Sequence, residues 1–377
     1  MKKVAILTLN GYFNYGNRLQ NYALQEVIRN LGFEVETIVN TTQNEEVQMA
    51  YPLKMYKIIK KGPKYLKKII LNKLNKKKVI NSGNIRTKTF KDFTHKYIKE
   101  TNYSISDKNI PNDLSEKYDY FVVGSDQVWN PNFREVTSLY FLLFTEKNKR
   151  VSYAPSFGVS ELSNEYKSNY KKWLTNFDKI SVREDDGAEI IKELTGKTAP
   201  VLVDPTLLIT KETWLSIAKR ANNKPEKGYL LTYFLGGVPK QYSKRINDIA
   251  KENNLDIINL GDVGDIETYK TGPSEFIDYI NSCSIFCTDS FHGCVFAILM
   301  QKPFIVYERE GSSLSMYSRI NTLLDKFNLN SRKIENIKTN KDAFNIEYTD
   351  TSLLLEEERL KSLNFLNEAL EVTKKTQ

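Results

Sequence analysis

At 377 residues the chain exceeds one ordinary core and matches two domains. With 40% hydrophobic and 12% aromatic residues, it carries too much core-forming material for a disordered chain. The net charge of +9 is local, because residues 51–90 hold twelve lysines and Arg86 and no acidic residue, leaving the other residues at −4.

Residues 4–9 are a predicted strand, too short an apolar run for a signal core. A helix over 17–31 follows, ended by Gly32, and then a strand over 34–39. In the basic stretch Pro63 is followed by Tyr65, Leu66, Ile69, Ile70 and Leu74 at helical spacing between lysines. This predicts a basic amphipathic insertion at about 52–80 that either meets an anionic membrane surface through residues 54–80 or packs on the protein by its apolar face. No base-reading motif accompanies the charge, so nucleic acid is not an expected partner. Nothing approaches the ~20 apolar residues of a membrane span.

Further strands are predicted at 118–123 and 150–154, completing a first sheet. A second series is predicted to begin at 179–182 and continue at 200–203, 229–234, 256–260, 284–287 and 304–307, with helices over 184–194, 241–253, 273–281 and 292–300 between its strands. This alternation predicts an α/β protein of two doubly wound, Rossmann-like domains facing across a cleft. The expected division is 1–170, 171–350, and a C-terminal helix within 351–377 that crosses back over the first domain. Cys283, Cys287 and Cys294 lie in one apolar stretch and read as buried thiols, too few for a disulfide framework. His292 is the sole histidine near them, so no zinc set is expected, and the cysteine usage favours a reducing cytoplasm.

Ligands of open α/β sheets bind where strands turn into helices, and four such turns are unusual. The turn 11–18 holds Asn14, Gly16, Asn17 and Arg18, with Gln20 one turn on; its glycines suit an anion or sugar, and Asn17 is the expected helix cap. The turn 124–131 presents Gly124, Ser125, Asp126, Gln127 and Asn130, and Trp129 there either stacks on a sugar ring or fills the core. Residues 152–158 form a small polar loop on the same sheet edge. In the fourth turn Asp289 and Ser290 cap a helix whose first turn carries His292 and Gly293, an electropositive place for a group able to act as acid or base. His95, on a polar helix, reads as structural. Arg183, Arg309 and Arg319 follow or flank second-series strands and suit phosphate or carboxylate. Asp185 and Asp186 begin a helix, where they complement its dipole, and no metal is expected.

Six stretches together resemble the polysaccharide pyruvyl transferase family: Asn14-Tyr15-Gly16-Asn17-Arg18-Leu19-Gln20-Asn21, residues 122–130, Ser152-Tyr153-Ala154, Ser181-Val182-Arg183-Glu184, Val203-Asp204-Pro205-Thr206 and Thr288-Asp289-Ser290-Phe291-His292-Gly293. The resemblance implies a fold like B-type glycosyltransferases, with phosphoenolpyruvate as donor substrate, no cofactor, and a bacterial surface sugar, free or lipid-linked, as acceptor. It makes His292 and Arg183 the expected catalytic residues, with Asp289, Ser290, Gly293, Arg309 and Arg319 on the donor side. The turns 14–20 and 124–130 fall to the acceptor. Many members carry an arginine where this chain has Ser290, so a donor-phosphate contact is either missing or supplied by Arg183, Arg309 or Arg319. The expected location is cytoplasmic, peripheral on the inner membrane face. A nucleotide-sugar glycosyltransferase and a non-catalytic sugar-binding relative are the rival expectations.

Overall fold

The computed structural model describes residues 1–42, 82–132, 137–222, 224–235, 237–262, 265–309 and 317–372. The basic insertion expected at 52–80 lies outside the described residues.

Two all-parallel sheets organise the chain. The first contains β1 (Lys3–Leu7), β2 (Glu34–Asn40), β3 (Glu100–Ile105), β4 (Tyr120–Val123) and β5 (Arg150–Ser152), in the order β3-β2-β1-β4-β5. The second contains β6 (Tyr229–Tyr233), β7 (Asp256–Leu260), β8 (Ile285–Thr288) and β9 (Phe304–Val306), in the order β7-β6-β8-β9. β4 and β6 are buried along their whole lengths, as strands covered on both faces must be. Strand order reverses between β1 and β4 in one sheet and between β6 and β8 in the other. A crevice opens at such switch points beyond the strands' carboxyl ends.

The helices that bear on this crevice are α1 (Tyr15–Asn30), α2 (82–97), α3 (Asp185–Thr195), α4 (Pro273–Ser282), α5 (Phe291–Leu299), α6 (Ser318–Lys326) and α7 (Thr349–Ala369). α1 is buried on almost every side, because it packs on β2, on the turn Pro205–Leu208 and on α4, with the Tyr15 ring reaching Tyr233 of β6. One continuous apolar cluster runs from Val4 and Ile6 through Leu19 to Leu231, Phe276 and Phe296. Tyr15 stacks on Phe276 with centroids 4.3 Å apart and donates its hydroxyl to Thr271 O.

Three expectations differ from the fold. Residues 179–182 and 200–203 make only isolated parallel bridges, Val151 to Lys179 and Val182 to Val201, so they extend the first sheet and do not begin the second. α3 likewise buries Ile190, Ile191 and Leu194 with Ala5, Leu7 and Phe121 of the first sheet. By sheet membership the change-over falls between 203 and 229 rather than at 170/171. β3 was not expected, since Glu100–Ile105 alternates burial without any apolar run. α7 returns to the first sheet, with the Phe365 ring 6.5 Å from Tyr153 and Arg359 donating to Leu207 O and Ile209 O.

Arg86 of α2 ties the halves together from the edge of the basic stretch. Buried, it donates to Phe13 O at 3.0 Å, Tyr15 Oη at 2.9 Å and Tyr269 O at 2.7 Å, and packs on the rings of Tyr15, Phe90 and Tyr269.

Candidate active site

The first sheet brings the turns after β1 and β4 to its switch point; the second sheet brings the turn after β8. Asn14, not Asn17, caps α1, its Oδ1 accepting from Asn17 N, so Gly16 lies in the first helical turn. Gly124 follows β4 at φ +123°, and a side chain there would stand 2.1 Å from Tyr153 O, so only glycine fits. The Gln20 carboxamide then accepts from Ser125 N and donates to Thr8 Oγ1, tying this turn to α1. After β8, Ser290 Oγ accepts from Gly293 N and starts α5. A side chain on Gly293 would meet Thr288 Oγ1 at 2.6 Å, so glycine seats the helix start on β8.

These turns converge on Asp204. Its Oδ1 accepts from Thr206 N and Thr206 Oγ1. Its Oδ2 faces Arg183 Nη1 at 2.6 Å, Ser125 Oγ at 3.0 Å and His292 Nε2 at 3.5 Å. Burial works against the Asp204 carboxylate, but His292, Arg183 and Thr206 outweigh it and hold its pKa well below the usual range. Arg183 reaches the site from residues that extend the first sheet, His292 from the second.

Arg183 spends Nη1 on Asp204, while its Nε and Nη2 are buried without a hydrogen-bond partner. Those two N–H groups form one edge of the guanidinium, the fork that engages a carboxylate or phosphate in bidentate fashion. Asp126 Oδ1 lies 3.6 Å from Nη2, an ion-pair distance. Arg319 of α6 stands beside it, and with the Gln127 amide oxygen turned toward it the guanidinium donates at 3.0 and 3.3 Å. Burial and the like charge of Arg183 pull Arg319 down to about 10. The two guanidiniums flank the Phe291 ring, at 4.3 and 6.0 Å from its centroid. Arg319 thus arrives one residue away from Ser290.

Asp204 and Asp126 balance the two arginines. Glu184 Oε1 accepts from Ser156 Oγ, Phe157 N and Gly158 N, while burial raises the pKa of its carboxyl. What remains for an incoming anion is a set of directed N–H groups: Arg183 Nε and Nη2, Arg319 Nε, and the start of α5.

The other expected residues are placed differently. Trp129 is 1% exposed, stacked on Phe141 and donating to Tyr140 O, so of its two readings the core role holds and its place among the acceptor contacts is corrected. Arg18 is fully buried and spent on Glu100 and Leu9 O, which corrects its expected acceptor contact. Arg309 pairs with Asp289, whose other oxygen accepts from Leu235 N; together they join the turns after β6, β8 and β9. Asn130 contacts Gln127 and accepts from Asn132 N. Asn17 lies beside Gly11. A hollow of about 470 Å³ lined by Asp185, Asp186, Glu308, Asp325 and Glu335 is acidic and suits an anion poorly. Among the described residues no three His, Cys, Asp or Glu side chains gather as metal ligands. Burial pushes the Cys283 and Cys287 thiols up to about 12.

The sequence alone assigns Asp204 no role beyond its place in the stretch Val203-Asp204-Pro205-Thr206. Asp-Pro-Thr reads locally as a capped turn, and Asp204 does cap the turn Pro205–Leu208.

Two facing parallel sheets with the crevice between them define a GT-B-like α/β fold. In line with this, the structure is similar to a putative UDP-N-acetylglucosamine 2-epimerase from Listeria monocytogenes, at 12% identity and TM-score 0.50 over 100% of this chain and 99% of that one. It also aligns with Arabidopsis thaliana UGT89C1 complexed with UDP-L-rhamnose, at 9% identity and TM-score 0.48 over 98% and 99% of the two chains. Acinetobacter baumannii MurG aligns at 10% identity and TM-score 0.39, over 99% of each chain. No curated protein matches the chain in sequence. The family model for polysaccharide pyruvyl transferase matches residues 14–311, and the chain belongs to that family. Among the described residues no helix is long and apolar enough to cross a membrane.

Proposed function

We propose that the protein transfers a pyruvyl group from phosphoenolpyruvate to a sugar of a bacterial surface polysaccharide or lipid-linked saccharide, forming a pyruvate ketal. Family membership supports a transferase of polysaccharide biosynthesis. The observation that carries the donor is the unspent Nε–Nη2 edge of Arg183, beside Arg319 and the start of α5. Phosphoenolpyruvate bears a carboxylate and a phosphate, and directed N–H groups complement both.

In this reading a proton goes to the methylene carbon and leaves C2 electrophilic. One sugar hydroxyl adds to C2 and releases its proton. A second hydroxyl then bonds to C2 as phosphate departs with the electron pair of the C2–O bond, and its proton leaves with the phosphate or the medium. His292 has the acid/base role and Arg183 the anion contact, with Arg319 second to it. The acceptor approaches along the turns 14–20 and 124–130, whose parts nearest His292 and Arg183 are Gly16 and the Ser125–Gln127 stretch. No cofactor is needed. The lysines of residues 54–80 draw the enzyme to an anionic inner-leaflet surface, where a lipid-linked acceptor would reside.

The test is release of phosphate from phosphoenolpyruvate in the presence of saccharide acceptors, with His292→Ala and Arg183→Gln in parallel. The reading expects release by the parent protein and a loss of at least 100-fold in both variants. Near-normal turnover in His292→Ala would remove its assigned role.

A further inference from the structure

Two contacts enclose the His292 ring from opposite edges. Nε2 is buried with no hydrogen-bond partner and lies 3.5 Å from Asp204 Oδ2. At the other edge, a methyl group on Gly16 would stand 2.1 Å from Nδ1 and 2.6 Å from Cε1. A bare α-carbon is therefore what lets α1 come up against this nitrogen. Asp204 has little freedom of its own, because Thr206 holds Oδ1 while Arg183 and Ser125 face Oδ2. A fixed carboxylate facing one ring nitrogen favours the tautomer that carries its proton there and leaves the lone pair on the other nitrogen.

We propose that Asp204 is a positioning residue that keeps a proton on Nε2 of His292, so that Nδ1, beside Gly16, is the nitrogen that handles the proton of the reaction. The same carboxylate engages Nη1 of Arg183, which leaves the Nε–Nη2 edge to the donor. The chemical part rests on the pyruvyl-transfer reading. With His292 entering as the imidazolium, Nδ1 gives its proton to C3 of phosphoenolpyruvate and takes up the lone pair, the C2=C3 electron pair becomes the new C–H bond, and the sugar oxygen bonds to C2. Nδ1 then recovers the proton that this hydroxyl loses, and the imidazole ends as it began. Gly16 comes from the half of the site assigned to the acceptor, which places that nitrogen on the acceptor side.

The chain has two histidines, His95 and His292, so the full-length His95→Gln protein labelled with 15N-histidine reports one imidazole. Long-range proton–nitrogen correlation at alkaline pH reads the neutral tautomer directly, without substrate. The expected result is the Nε2–H form, shifting toward a mixture in Asp204→Asn. Gly16→Ala is expected to lower kcat at least 100-fold while KM for phosphoenolpyruvate changes less than threefold. A wild-type Nδ1–H form overturns the proposal, as does an Nε2–H population unchanged by Asp204→Asn. If Asp204→Asn does not fold, Thr206→Val removes the hydroxyl 2.7 Å from the same carboxylate and is judged by the same outcomes. A protein with the expected tautomer that releases no phosphate from phosphoenolpyruvate keeps the Asp204 assignment and sinks the functional reading.

Discussion

Arg183 and His292 reach the crevice from opposite sheets and meet on one carboxylate, with Arg183 Nη1 2.6 Å and His292 Nε2 3.5 Å from Asp204 Oδ2. The cation and the acid/base group of the proposed reaction therefore share an anchor that is 1% exposed. Substitutions at either residue disturb the other through Asp204, so their effects should not simply add.

Replacing Arg183 by lysine keeps the charge and loses the planar fork. The expected outcome is a KM for phosphoenolpyruvate at least tenfold higher, about 1.4 kcal/mol of lost binding, read from steady-state phosphate release. An unchanged KM would mean that the fork is not the donor contact.

Gly124→Ala tests the scaffold rather than the chemistry. At φ +123°, with Tyr153 O 2.1 Å from the added carbon, the turn must move or the chain must strain. A loss of about 3 kcal/mol in urea unfolding is expected. A change below about 0.5 kcal/mol, the range of an indifferent surface site, would contradict this packing.

Glu184 gives a pH dependence of stated sign. Burial raises its pKa in the folded protein, against the pull of Arg183 and Arg319. A carboxyl raised above its unfolded value of about 4.3 favours folding below that pH and loses this contribution as pH rises through the folded value. Glu184→Gln keeps an oxygen for Ser156, Phe157 and Gly158 and cannot ionise. Its stability relative to the parent should therefore improve between pH 4 and pH 8, as followed by chemical denaturation at both values. A relative loss over that range would reverse the sign.

Arg86→Ala should cost about 3 kcal/mol, since it removes a buried guanidinium that serves the carbonyls of Phe13 and Tyr269 and the hydroxyl of Tyr15, and opens the contact between α2, the turn before α1 and the second half. Hydrogen exchange is expected to rise first at residues 13–16 and 269–271. Exchange that rises uniformly instead would deny Arg86 a joining role.

Much of this was legible in the sequence because parallel strands buried on both faces announce themselves as apolar runs. Tyr229–Tyr233 and Ile285–Thr288 are of that kind, and the turn after the second holds Asp289, Ser290, His292 and Gly293 of the expected site. Glu100–Ile105 was not legible, because an edge strand with alternating exposed polar residues lacks such a run. Residues 179–182 misled for the opposite reason, having strand-like composition but a single bridge to β5. At the site, residue type pointed to His292 and Arg183, but spacing along the chain carries no information about which groups a fold spends on itself. Arg18 looked available and is paired with Glu100; Trp129 suited a sugar platform and the core equally, and fills the core. Asp204 carried no expected role, and it both caps the turn Pro205–Leu208 and anchors the site.

The basic stretch supports a separate expectation. Deleting residues 54–80, which removes eleven lysines, should abolish sedimentation with anionic vesicles at low salt and leave the protein indifferent to neutral ones. Undiminished binding after the deletion would assign membrane contact elsewhere.

The most direct test of the account is the melting temperature of the full chain with phosphoenolpyruvate, compared with inorganic phosphate, lactate and nucleotide-sugars, each with and without a saccharide acceptor. A ligand that binds only the folded state raises the melting temperature. The account predicts a selective rise with phosphoenolpyruvate that disappears in Arg183→Lys. A rise with a nucleotide-sugar and none with phosphoenolpyruvate, even with acceptor present, would contradict it.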